Sequence, residues 1–181
     1  MREPSIPYIS SAKRYGNLGE DKFENELRLY LPNCKIKKNV IIQTNEGNAE
    51  IDFLILYKNK LFAVEVKHWS GHITESNGNF YKVKYDKWTN ETHTQTLKSP
   101  FKQLRHAIYL LRKQIPDNVW INDIVFFYDA DSTKTEGDNF WFNDMFTLTT
   151  YIVNYGKTSR DDYASSFFKK VIAADYLYGK L

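Results

Sequence analysis

The chain has 181 residues, 42% of them hydrophobic and 16% aromatic, and a formal net charge of +3. This is enough apolar chain for one domain with its own core, and it excludes a disordered polypeptide. The single cysteine, Cys34, excludes an internal disulfide and a cysteine-based zinc site, and it fits a reducing compartment. No apolar leader core and no run of about 18 uninterrupted apolar residues occurs, so the expectation is a soluble cytoplasmic protein with no membrane contact. The mild positive charge is compatible with a nucleic-acid partner without requiring one.

Residues 1–15, with two prolines, serines and charge, read as a flexible arm. A helix opens at Gly16-Asn17-Leu18-Gly19-Glu20, with Leu18, Phe23, Leu27 and Leu31 near one face and Pro32-Asn33 as its stop. Lys35 to Thr44 reads as a strand, 45–48 as a hairpin turn, and Ala49 to Tyr57 as a second strand. After the turn at 58–60, Leu61 to Lys67 completes a three-stranded antiparallel meander rich in β-branched and aromatic residues. A hairpin follows, turning at Ser76-Asn77-Gly78-Asn79, with Phe80, Lys82 and Lys84 on one face of its second strand and Tyr81, Val83 and Tyr85 on the other. Ser99-Pro100 starts a helix whose stripe is Phe101, Leu104, Ala107, Ile108 and Leu111. Trp120 to Tyr128 is a further buried strand. Asp129 to Asp138 reads as a polar loop and Phe140 to Ile152 as an extended aromatic segment. Ser159, or Thr158, caps a last helix with Asp161 and Asp162 in its first turn, running past Phe167, Phe168, Val171 and Ile172 to about Tyr178. The order predicts an α/β fold with a mixed sheet, divided into an arm (1–15), an α/β core (16–130) and a C-terminal extension packed on that core (131–181).

Chemistry concentrates between Glu50 and Lys67. Asp52 interrupts one apolar strand, and Glu65 and Lys67 interrupt the next, all three at positions that a hairpin can bring together. Burying such charges without a task is costly. Two carboxylates, a backbone carbonyl and waters make the oxygen-rich site that Mg²⁺ or Mn²⁺ prefers. Such an ion lowers the pKa of bound water and neutralises charge developing on a phosphodiester. Lys67 has three roles open to it: orienting the attacking water, assisting its deprotonation, or steadying the charged transition state. A surface cross-strand ion pair is the ordinary use of Glu-x-Lys on a strand, but two aligned interruptions favour a site.

In order, Gly16, Gly19 and Glu20 at a helix start, Glu50-Ile51-Asp52, Glu65-Val66-Lys67, then Trp69, Gly71 and Ile73, and finally Pro100 and Gln103 on a helix resemble the nuclease-related domain (NERD) family of the PD-(D/E)XK nuclease superfamily. The resemblance covers roughly residues 15–130. It implies a restriction-endonuclease-like core, in which helices flank a mixed central sheet made of an antiparallel meander plus a further strand. It also implies that Asp52 and Glu65 are metal ligands, that Lys67 is the catalytic lysine, and that Glu20 or Glu24 is an additional acid aimed at the metal or its waters. Gln103 would point into the site from the second helix. Ser99 stands where the family often has Asn, and His68 where Asn is common. Both departures bear on substrate contacts rather than on the acids.

Two readings stand for Glu20, as a site acid or as a first-turn acid favoured by the helix dipole. His68 and His72 read as packing or surface residues, His93 and His106 carry no assignment, and Glu50, on the strand face of Asp52, reads as an exposed acid at a strand start ahead of a further ligand or a supporting residue behind the ligands. Lys82, Lys84 and Lys87 interleave with Tyr81, Tyr85 and Trp88. Such a hairpin can contact nucleic acid, as phosphate-binding lysines beside stacking aromatics, or serve as an amphipathic cover for a sheet edge. Lys82, Lys84, Tyr85 and Lys87 are the candidates for nucleic-acid contact; Lys35, Lys37 and Lys38 carry the same pair of readings. The aromatics from Phe140 onward could form a homodimer surface. The expected activity is that of a Mg²⁺- (or Mn²⁺-) dependent deoxyribonuclease, which hydrolyses DNA phosphodiester bonds through a metal-activated water. Its rivals are an inactive nucleic-acid-binding module of the same fold and a protein-interaction domain whose carboxylates are a solvated sheet face.

Overall fold

The computed structural model describes residues 11–115, 119–131, 133–134, 139–155 and 163–178, with the backbone alone for 11–18 and 175–178. Among the described residues a five-stranded sheet runs in the order β1 (Lys35–Thr44), β2 (Gly47–Tyr57), β3 (Lys60–Lys67), β7 (Ile121–Phe127) and β8 (Phe140–Phe142). The first three strands form the antiparallel meander, while β7 joins β3 in parallel and β8 joins β7 in parallel, so the sheet is mixed. Between β3 and β7 the chain makes a separate antiparallel sheet of β4 (His72–Ser76), β5 (Asn79–Asp86) and β6 (Glu91–Leu97), followed by α2 (Pro100–Gln114).

The alternation along the strands sorts two layers of helices. Phe53, Ile55, Phe62 and Val64 pack with Phe23, Leu27 and Leu31 of α1 (Ser11–Tyr30) and with Leu148 and Ile152 of α3 (Met145–Tyr155). Their alternates Leu54, Leu56, Leu61 and Ala63 pack with Leu104, Ala107 and Leu111 of α2 and with Phe167, Phe168 and Val171 of α4 (Ala164–Tyr178). A third cluster joins Val125, Phe127 and Trp141 to Phe101 and to Ile73 and Phe80 of the small sheet. The mixed α/β architecture is the one expected of a restriction-endonuclease-like core.

Several local expectations meet their structures directly. Asn77 and Gly78, both at positive φ (51° and 72°), make the two-residue turn between β4 and β5. Ser99 caps α2, its Oγ accepting from Lys102 N at 3.3 Å, with Pro100 at the first helical position. Removing that acceptor in Ser99→Ala is expected to lower stability by about 1 kcal/mol, read as a small drop in the thermal midpoint.

Others are corrected. α1 begins at Ser11 rather than at Gly16, because Ala, Lys and Arg before the glycines are good helix formers. β6, ETHTQTL, has almost every residue exposed and no apolar alternation to announce it, but its threonines suit a strand. Only residues 140–142 of the aromatic tail are extended; α3 follows, because burial of Leu148 and Ile152 outweighs the β-branched composition. The last helix is present as α4, with Ile172 on its exposed side. Its expected caps Thr158 and Ser159, and Asp161 and Asp162, lie outside the described residues, as do residues 1–10 of the arm. No helix among the described residues is long and apolar enough to cross a membrane.

Candidate functional site

Pairing between β2 and β3 stops at Phe53↔Val64, one step short of bringing Asp52 opposite Glu65. Beyond that step the Val66 N–H needs an acceptor, and Asp52 Oδ2 supplies it at 2.8 Å. The carboxylate thus replaces a strand carbonyl and holds the splayed strand ends in register. On the other side of Asp52 the ladder to β1 is also interrupted: Lys38↔Phe53 and Val40↔Ile51 pair, while the facing Asn39 and Asp52 do not. Asn39 has φ 52°, a left-handed conformation that Asn tolerates better than most residues. Its effect is visible in the packing, since Phe53 joins the α1 layer while Ile51, two residues away, joins the α2 layer. Asp52 sits at the switch, between strand ends that neither neighbour closes.

Glu65 is only 1% exposed, and its Oε1 accepts from Lys67 Nζ at 2.5 Å. Its other oxygen, Oε2, is buried with no hydrogen-bond partner. Burial, then the charge of Asp52, pushes the Glu65 carboxyl up to about 7, with Lys67 opposing. Asp52 is raised as well, by burial first, against the Val66 N–H and the charges of Lys67 and Lys38. Two crowded carboxyls, one of them with an orphaned oxygen, make an oxygen-rich spot whose ionised form a further cation would favour.

Of the two candidate acids on α1, Glu20 lies in the field of the strand acids. Its carboxyl is raised by burial first and by Asp52 next, and its Oε2 is a second buried oxygen without a hydrogen bond. Glu24 is instead occupied by Arg28, which donates from Nε at 3.0 Å and from Nη2 at 2.7 Å. Lys38 Nζ lies 3.6 Å from Glu20 Oε2 and also donates to Asp21, tying the middle of α1 to the strand that faces Asp52. Glu50 is exposed at the rim, near enough to raise both Glu20 and Glu65. Gln103 is an exposed residue in the first turn of α2.

Lys38 and Asn39 were not among the residues singled out from sequence for this site. A lysine run on a strand gives no sign of which lysine turns inward, and the left-handed residue beside it has no signature beyond being an asparagine in a β-rich stretch. The motif glycine at 19 has a steric reason: a methyl there would overlap the His68 ring. That ring stacks on Tyr128 (centroids 5.0 Å, 5° between planes) just past the ends of β3 and β7, and His72 Nδ1, at the start of β4, lies 2.9 Å from Asp131 Oδ1.

Among the described residues no group of three or more His, Cys, Asp and Glu is gathered tightly enough to hold a metal by itself. Asp52 and Glu65 nevertheless fit a hard cation that keeps most of its shell for water and substrate oxygens, as Mg²⁺ does. The fit rests on the orphaned Glu65 Oε2 and on an all-oxygen donor set. No curated protein and no solved structure matches the chain. Residues 15–128, from α1 to just past the end of β7, match the family described as NERD: Nuclease-related domain. This match and the mixed α/β core place the chain in the nuclease-related domain family of the PD-(D/E)XK nuclease superfamily.

Proposed function

We propose that this protein is a metal-dependent nuclease that hydrolyses DNA phosphodiester bonds, with Asp52 and Glu65 as metal ligands and Lys67 as the catalytic lysine. The observation that carries the reading is the Asp52–Glu65–Lys67 cluster at splayed strand ends, with Glu65 buried and half-partnered. Bound Mg²⁺ or Mn²⁺ would supply a water of lowered pKa and positive charge against the phosphate.

The chain's own residues do the rest. Asp52 is aimed by the Val66 N–H, which fixes one of its oxygens and leaves the other for the site. Glu65 is aimed by Lys67, so neutralising the acids with a cation frees the Lys67 ammonium to meet a water or a phosphate oxygen. Lys67 is partly exposed, as a group that meets substrate must be. Glu20 stands behind Asp52, held by Lys38, where it can accept a proton from a water in the site. Gln103 contacts substrate from the rim.

The test is cleavage of plasmid, linear duplex and single-stranded DNA with Mg²⁺, Mn²⁺ or EDTA, beside Asp52→Asn and Lys67→Ala. Asparagine keeps an acceptor for Val66 N–H, which alanine would orphan at about 1–3 kcal/mol, so loss of rate in Asp52→Asn is not loss of fold. Cleavage is expected with either metal and not with EDTA, falling by at least about 100-fold in each variant. Undiminished cleavage in both variants would sink the site. Metal-independent DNA binding with no cleavage would favour the inactive module.

A further inference from the structure

The small sheet carries a feature that the site does not use. Its base is buried, with Ile73 and Phe80 packed against Phe101, Phe127 and Trp141. Beyond Phe80 the same face of β5 continues as Lys82 and Lys84, and the partner strand β6 is exposed along almost its whole length. The hairpin therefore projects from the body with no core of its own. At its tip, Trp88 is 98% exposed and Tyr85 58% exposed. Together with Lys84, Asp86, Lys87 and His93 they line a recess of about 450 Å³, within the ~300–1,000 Å³ of sites that take a small ligand.

The tip is built to keep its rings outward. The carboxylate Asp86 Oδ1 accepts from Trp88 N at 2.8 Å and from Thr89 N at 3.4 Å, so it is spent on the turn. Tyr85 Oη donates to Asn90 Oδ1, which fixes the tyrosine ring beside Trp88. Further down, Lys82 and Lys84 are close enough to repel. Burial, then Lys84, holds the Lys82 ammonium below its ordinary value, with Asp129 the opposing charge. Two adjacent ammonium groups are relieved by an anion placed between them.

The hairpin also stands on the right side of the molecule. In the parallel register Glu65 is level with Val125 and Lys67 with Phe127, so these four share one sheet face. Phe127 belongs to the cluster that seats Phe80. Gly71, four residues past Lys67, holds the hairpin close: a methyl there would come within 2.9 Å of Val83 O and 3.4 Å of Lys84 Cγ. A chain of four residues spans at most about 14 Å, so the lysine pair rises beside the end of β3.

We propose that the β5–β6 hairpin is a docking platform for single-stranded nucleic acid, with a phosphate seated on the Lys82–Lys84 pair and a base stacked on Trp88. The nucleic-acid partner rests on the nuclease reading. The choice of a single strand rests on Trp88, because a fully exposed ring face serves an unpaired base, whereas paired bases in a duplex hide theirs. The strand would then run from the tip towards Asp52, Glu65 and Lys67.

The test is fluorescence anisotropy with the full chain in EDTA, using a labelled oligothymidylate and a labelled duplex of equal length over a salt series. Trp88→Ala is expected to weaken oligothymidylate binding between about fivefold and 150-fold, the range for stacking one base, and to leave duplex binding within twofold of about its starting value. The double variant Lys82→Ala/Lys84→Ala is expected to lower the salt slope for the single strand by about one phosphate contact or more. An unchanged melting curve for Trp88→Ala would show that the fold is kept. Unaltered single-strand affinity in Trp88→Ala, or an equal loss on duplex, would overturn the proposal. Cleavage without Trp88-dependent binding would do so while leaving the nuclease reading intact; Trp88-dependent binding without cleavage would do the reverse.

Discussion

Glu65→Gln is expected to stabilise the metal-free protein at pH 8 while abolishing cleavage. The Glu65 carboxyl, ordinarily near 4.5, is pushed to about 7 in the fold, so the native state holds a proton that the unfolded chain has lost. Stability contributed by the protonated form is fully present below the unfolded value and is lost as pH rises towards 7. Above that, the buried carboxylate costs up to about 3 kcal/mol, set against a glutamine that is neutral at every pH. Lys67 loses its charged partner in the variant and takes back part of this gain; being partly exposed, it can turn to water. The net expectation is a rise of a few degrees in the thermal midpoint at pH 8 and almost none at pH 4.5, measured by calorimetry in EDTA. Asp52 and Glu20 are raised in the same direction and steepen the same fall with pH in the wild-type protein. A variant that melts like wild type at both pH values would mean that Glu65 is not strained by its burial. A site that destabilises its own fold is the usual cost of function.

Phe23→Ala is the largest loss of stability we expect from a single side chain outside the site, about 3–5 kcal/mol. Phe23 is fully buried in α1, 4.8 Å from the ring of Phe53 and 5.1 Å from that of Phe126, and so bolts the helix to β2 and β7. At roughly 2–4 °C per kcal/mol for a chain of this size, the midpoint should fall by about 6–20 °C. Glu20 stands one turn earlier on the same helix, so a shift of α1 also moves the acid behind Asp52. Cleavage assayed well below the new midpoint should therefore fall, and this separates displacement from simple unfolding. A melting change without a rate change would mean that Glu20 takes no part in the reaction.

The parts of this molecule legible in its sequence are those where local chemistry and tertiary packing agree. β1 to β3 are rich in β-branched and aromatic residues and turn on short polar loops; Ser99-Pro100 marks α2 in both senses, as cap and as first helical residue. β6 is hidden because its face meets no core, and α3 because Thr, Ile, Val and Tyr read as strand until Leu148 and Ile152 find a helical layer to fill. Asp52, Glu65 and Lys67 stand out as charges in apolar strands, and the ladder does end where they meet. Which of Glu20 and Glu24 faces Asp52 depends on the rotation of α1 about Phe23, which periodicity defines only to within a residue or two. Lys38 and Asn39 were beyond reach, since one residue in a left-handed conformation decides which way the strand faces.

Under the proposed function, the bond from Val66 N gives the Asp52 carboxylate a second employer, and the two can be dismissed independently. A lineage that abandons cleavage loses its use for the negative charge at once, but not for the acceptor that keeps β2 and β3 joined. Degenerate copies of this domain should therefore drift at position 52 towards Asn, Ser or Thr rather than towards Ala or Val. Position 67 serves no backbone group, and once Glu65 is also replaced nothing ties it to lysine. An aspartate at 52 is thus weaker testimony to a living enzyme than a lysine at 67.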